Sequence, residues 1–193
     1  MTKSKLAVSF ILVSTFISCG FDYEKDIIET IISHYKSEYS KEKNCGKVTI
    51  RETEDGTEVE SAFIDTDDSF SISICGYHLI PKASGLIRGD INGDGNDDVI
   101  VPVSSNGGGT AVWDDLFFFL SDQKTLASYI MFNSSELASC GNGGGKFEVK
   151  AIAAAFIVGE SQCYAEDDPS CCPSLKYKTE YKLQGEKLVL VGQ

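Results

Sequence analysis

The stretch that most restricts the fold is residues 90–98, Asp-Ile-Asn-Gly-Asp-Gly-Asn-Asp-Asp, followed at once by Val-Ile-Val-Pro-Val. Asp, Asn and Gly are poor helix and strand formers, because short polar side chains compete for the hydrogen bonds of the backbone and glycine enters left-handed conformations freely. The next five residues are apolar, and four of them are β-branched, which favours a pleated, buried position. The chain must therefore wrap a tight polar loop and then enter the core as a strand over 99–103.

Within the loop, side-chain oxygens recur at alternate positions, Asp90, Asn92 and Asp94; Gly95 permits a sharp turn, the Asn96 carbonyl can face inward, and Asp98 closes the set. A hard cation such as calcium takes roughly six to eight oxygen ligands at about 2.3–2.6 Å from a backbone wrapped around it. The order predicts a structural calcium site with Asp90, Asn92, Asp94, Asn96 and Asp98 as ligands. Val101 stands where an EF-hand carries its bidentate Glu, and an apolar strand follows instead of a helix, so an EF-hand is excluded. The competing reading is a metal-free turn, since the same residue types cap backbone N–H groups. The pattern D-x-N-G-D-G-x-x-D followed by an apolar strand resembles the calcium loops of FG-GAP and related extracellular repeats. Those proteins repeat the loop around a propeller, whereas this chain has it once and shows no internal repeat, so the resemblance implies the local loop alone.

Residues 1–18 read as a leader. Lys3 and Lys5 precede an apolar run over 6–17, then Ser18 and Cys19. About a dozen apolar residues fall short of the roughly 20 that a membrane-spanning helix needs. Phe16-Ile17-Ser18-Cys19-Gly20 resembles the lipobox of bacterial lipoproteins, with Phe16 where Leu is usual. The resemblance implies that Cys19 is acylated, carries palmitate-type chains and becomes the first residue of the mature protein. Gly20 differs from the aspartate that retains many such proteins at the inner membrane, which favours the outer membrane. The alternative is an ordinary secretory signal cut near Ser18, with Cys19 left as a thiol. Residues 19–193 are then a single globular exported domain, a length that supports a sizeable core.

With 17 basic against 29 acidic residues the net charge is −12, and loss of Lys3 and Lys5 makes the remainder more acidic still. Such a chain repels nucleic acid and favours cations. Beyond Cys19 lie Cys45, Cys75, Cys140, Cys163, Cys171 and Cys172, an even set that in an exported chain predicts disulfides. The preferred pairing joins Cys45 to Cys75 and keeps the other four within the C-terminal half; Cys171 and Cys172 form either a vicinal disulfide or two half-bridges.

An apolar stripe at helical spacing, Ile27, Ile28, Ile31, Ile32 and Tyr35, with Asp22, Glu24 and Asp26 in the first turn, predicts an amphipathic helix over 21–39. Strand patterns follow at 47–51, 58–64, 70–75, 99–103, 116–120, 129–132, 147–155, 175–183 and 187–191, the last two joined by the turn Gln184-Gly185-Glu186. The expected class is α+β: one N-terminal amphipathic helix packed on a mostly antiparallel β-sheet.

Asp167-Asp168-Pro169-Ser170-Cys171-Cys172-Pro173-Ser174, taken with the loop at 90–98 and the glycines at 107–109, resembles a group of uncharacterised lipoproteins from Gram-negative bacteria in which both segments occur in this order. The resemblance spans roughly residues 85–190 and implies a shared fold and export, without an activity. The glycine clusters at 107–109 and 141–145 lack the Lys-Ser or Lys-Thr of a phosphate-binding loop and read as turns. No nucleophile motif accompanies His34 or His78, and Trp113 reads as core, with a surface contact or sugar platform formed with Asp114 and Asp115 as the alternative. No catalytic residue is assigned. The sequence therefore points to a membrane-anchored envelope lipoprotein that serves as a binding or interaction module for an envelope protein or glycan. The alternative is an exported hydrolase using acidic residues such as Asp114, Asp115, Asp167 or Asp168.

Overall fold

A computed structural model describes residues 23–39, 49–51, 71–74, 77–81, 86–106, 112–122, 125–141, 144–170 and 172–193. The leader, Cys19, Cys45, Cys75, Cys171, the expected strand at 58–64 and the glycines at 107–109 lie outside the described residues. Helix α1 (Tyr23–Tyr39) comes first. Strands β1 (Thr49–Arg51), β2 (Ser71–Ile74), β3 (Tyr77–Pro81), β4 (Ile87–Gly89), β5 (Asp98–Asn106), β6 (Val112–Ser121) and β7 (Leu126–Asn133) follow. After the single-turn helix α2 (Ser134–Leu137) come β8 (Gly145–Ala153), β9 (Phe156–Cys163), β10 (Leu175–Gln184) and β11 (Lys187–Gly192).

The α+β expectation is corrected. Strands dominate the described residues and form two antiparallel sheets, so the fold is β-rich. The first sheet has seven strands in the order β1-β2-β3-β5-β6-β7, with β4 also on β5; the second has four in the order β11-β10-β9-β8. Each strand pattern was local, whereas membership of one sheet or another is decided by distant partners, and this is why a single sheet was expected.

The two sheets explain the unbroken apolar runs. Along β5, Val99, Val101 and Val103 join Phe117 and Phe119 of β6 and Ile27, Ile31, Ile32 and Tyr35 of α1 in one buried cluster. The intervening Ile100, with Leu116 and Phe118, joins Phe147, Val149, Ile157, Tyr181 and Leu183 of the second sheet in another. Successive strand residues point to opposite faces. A strand covered on both faces therefore has no polar position to alternate with. On one edge β5 is paired with β4 through Ile100 and with β3 from Val103 onward. Pro102, which has no N–H to give a ladder, falls in the gap between those two partners.

The expected strand at 147–155 also needs correction. Residues 147–153 are most of β8, but the strand stops at Ala153, and Ala154 and Ala155, both with left-handed φ (50° and 62°), reverse the chain into β9. Two-residue hairpin turns usually place Gly or Asn in that conformation. The run Ala-Ile-Ala-Ala-Ala-Phe-Ile-Val offered no such mark. Cys140 and Cys163 are joined in a disulfide with Cα atoms 5.6 Å apart, within the C-terminal half, and Cys172 is disulfide-bonded to a partner outside the described residues.

Candidate functional site

β4 and β5 form an antiparallel pair closed at Gly89 and Asp98, so residues 90–97 are the loop of a hairpin. At its base Gly89 has a φ of 156°, and a Cβ there would stand 2.9 Å from that of Ile152 on β8. Glycine thus lets the first sheet approach the second where the loop begins. Ile91 is fully buried in the cluster between the sheets and pins the loop from within. Gly93 and Gly95 supply left-handed turns (φ 82° and 87°).

The polar side chains fold back on the loop. Asp90 Oδ1 accepts hydrogen bonds from the N–H groups of Gly93 (2.6 Å) and Asp94 (3.1 Å), and its Oδ2 accepts from Gly95 (2.9 Å). Asn92 Oδ1 accepts from the Asp94 N–H at 2.9 Å, while its amide donates to Asp94 Oδ2 at 2.9 Å. Asp94 Oδ1 accepts from the Asn96 N–H at 2.8 Å. Asp98 reaches further. Its Oδ2 accepts from the Ile91 N–H at 2.8 Å, and its Oδ1 accepts from the Ser121 N–H at the end of β6 at 2.9 Å. The Ser121 hydroxyl completes the clamp by donating to the Asp97 carbonyl at 2.9 Å. Nothing local in the sequence marks Ser121, because the register that brings it opposite the loop is set by the pairing of β5 with β6.

Asp98 is 0% exposed. Burial pushes its carboxyl above the usual carboxylate range; the Ser121 and Ile91 N–H groups pull against this, and the negative charge of Asp94 adds to the rise. Asp94 is exposed and held below its ordinary value, first by the Asn96 N–H and then by the Asn92 amide. Among the described residues Asp98 has no cationic side chain as partner. The five expected ligand residues are thus brought into one loop, with the side chains of Asp90, Asn92, Asp94 and Asp98 turned toward N–H groups of the loop and its neighbours. No group of three or more His, Cys, Asp or Glu side chains among the described residues stands in an arrangement that could hold a metal. The donor chemistry nevertheless suits a hard cation. Apart from Asp90 Oδ1, which accepts two N–H groups, each of these oxygens accepts one donor and keeps lone-pair capacity, and the buried carboxylate of Asp98 has no counter-charge among the described residues.

The other acidic candidates serve the fold. Asp115 is buried on β6 and accepts from the Tyr35 hydroxyl at 2.6 Å and the Asn133 amide at 3.1 Å, which ties α1 to the end of β7. Its neighbour Asp114, on the opposite face of the strand, accepts from the Ser104 hydroxyl at 2.6 Å. In the segment before β10, Asp168 accepts from the N–H groups of Ala165 and Ser174, both at 2.7 Å, and these two bonds hold its carboxyl below the usual range. Asp167 is exposed beside it. Trp113, expected in the core, is 49% exposed on β6 next to the exposed Val112. His34 meets the Tyr129 hydroxyl at 3.1 Å and packs edge-on against Phe117.

Comparison of the chain with protein-family models, curated proteins and solved structures returns no match. Among the described residues no helix is long and apolar enough to cross a membrane.

Proposed function

We propose that this chain is an exported lipoprotein of the bacterial envelope, anchored through acylated Cys19 to the outer membrane, and that its domain is a non-catalytic interaction module whose loop at 90–98 binds a structural calcium ion. Asp90, Asn92, Asp94 and Asp98 would hold the ion through side-chain oxygens and Asn96 through its carbonyl. The ion would supply positive charge and fasten the loop to the sheet. The observation that carries the calcium reading is Asp98, a carboxylate with no exposed surface, two N–H partners and no cationic partner among the described residues. Removing a charge from water costs several kcal/mol by continuum reasoning unless an opposite charge compensates. A divalent ion beside Asp94 and Asp98 would be that charge.

The non-catalytic reading is supported by the employment of Asp114, Asp115 and Asp168 as acceptors inside the fold. The partner is an envelope protein or a glycan, and the acidity of the chain argues against nucleic acid. Two experiments test the proposal. Melting of the purified protein is expected to shift upward with calcium and back with a chelator, and an unchanged midpoint would remove the metal from the account. Labelling with radioactive palmitate in a bacterial host is expected to mark the wild type and not Cys19→Ser; equal labelling, or none in either, would remove the anchor.

A further inference from the structure

The second sheet ends on two edges that differ in kind. At one edge, β8 carries Lys146, Glu148 and Lys150, has an irregular register between Val149 and Ala151, and is overlaid by α2 and β4. Charges, a bulge and a covering element are the devices by which natural sheets prevent further strand pairing. At the other edge, β11 has β10 on one side and, among the described residues, no strand on the other. Beyond its first residue it has no charge, and Val189, Leu190 and Val191 are 38%, 43% and 52% exposed. Leu190 lies opposite the buried Tyr181 in the register, so it faces the core side of the sheet yet remains uncovered.

The charges around this edge have a direction. Lys187 stands at the start of β11. At its end Gly192 pairs with Glu180 of β10, and a Cβ on Gly192 would stand 3.7 Å from Glu180 Oε2. The other oxygen, Oε1, is 2.7 Å from Lys178 Nζ. One carboxylate oxygen therefore leans over the side-chain-free Gly192 at the open edge. A strand with a cation at one end and a carboxylate over the other is complementary to itself when reversed.

We propose that β11 pairs antiparallel with β11 of a second copy about a two-fold axis, joining two four-stranded sheets into one continuous sheet. With Val189 at the axis, Leu188 of each copy lies opposite Leu190 of the other and covers its exposed surface. Lys187 lies opposite Val191, one residue from Gly192 and beside the leaning Glu180 carboxylate. Main-chain hydrogen bonds supply the attachment, and the two reciprocal ion pairs set the antiparallel direction.

The test is the mass of the full-length chain, exported, solubilised in detergent and measured by light scattering with the detergent contribution subtracted. A dimer is expected for the wild type. Val189→Lys places two ammonium groups at the axis and is expected to give a monomer with an unchanged circular dichroism spectrum, since position 189 is exposed in one copy. Lys187→Glu and Glu180→Lys are each expected to raise the dimer dissociation constant about tenfold or more through like-charge contacts. The double exchange K187E/E180K restores the pair and is expected to recover most of that loss. A monomeric wild type, a dimer indifferent to Val189→Lys, or a double exchange no better than the single ones would each overturn the proposal.

Discussion

Asp98 accepts backbone N–H groups from Ile91 and Ser121 at 2.8 and 2.9 Å, and Asp168 likewise accepts two, from Ala165 and Ser174, both at 2.7 Å. The hydrogen bonding is nearly the same, yet the carboxyl of Asp98 is pushed above its ordinary value and that of Asp168 is held below it. The difference lies in solvent. Asp168 keeps water and gains two donors, so its charged form is favoured; Asp98 gains the same donors but loses water entirely, and desolvation outweighs them. Two N–H groups are enough to organise a half-buried carboxylate that keeps water. They leave a buried one short of compensation, and this is the physical case for a cation at one loop and none at the other.

The largest effect that would break or sharpen this contrast comes from truncation. Asp98→Ala orphans two donors at the junction of β5 and β6 and is expected to cost about 3 kcal/mol or more in urea unfolding, whereas Asp168→Ala should cost clearly less because water replaces its carboxylate. Equal losses would show that burial is not what separates the two sites. Next comes the metal. At calcium concentrations about 100 times the dissociation constant, binding to the folded state alone adds about 2.7 kcal/mol to stability. That increment is expected in the wild type and in Asp168→Ala, and it should vanish in the double variant D90A/D94A.

The smallest effect concerns pH. The fold holds the Asp168 carboxyl below the ordinary carboxylate range, so the unfolded chain takes up this proton first as acid is added. Its contribution is complete above the unfolded value and is lost as pH falls through the lower folded one. Urea midpoints between about pH 2 and 5 should therefore fall more steeply for the wild type than for Asp168→Asn. Parallel curves would mean that the carboxylate is not favoured by the fold.

What could be read along the chain depended on whether the deciding interaction was local. The loop at 90–98 and the run at 99–103 declared themselves, because the residue types needed for a polar hairpin loop and for a strand buried on both faces sit side by side. The alternation of Leu175, Tyr177, Thr179, Tyr181 and Leu183 with lysines and Glu180 predicts one buried face along the whole of β10, but only Thr179, Tyr181 and Leu183 are buried, while Leu175 and Tyr177 are exposed. Strand β9 was not legible, since its boundary is a turn of two alanines that local preference would not choose. Ser121 is illegible for a related reason: its importance arises from the pairing of β5 with β6, in which Val99 meets Phe119, and that register belongs to the fold. The second sheet was hidden in the same way, because β8, β10 and β11 could each be expected as strands without indicating that they leave the first sheet and cover its far face.

Calorimetric titration of calcium into the metal-free wild-type protein, set beside D90A/D94A, bears most directly on the loop. The expected result is saturable heat with one ion bound per chain for the wild type and none for the variant. Absence of heat in both, or the same isotherm in both, would contradict the assignment of a cation to the loop that Asp98 anchors.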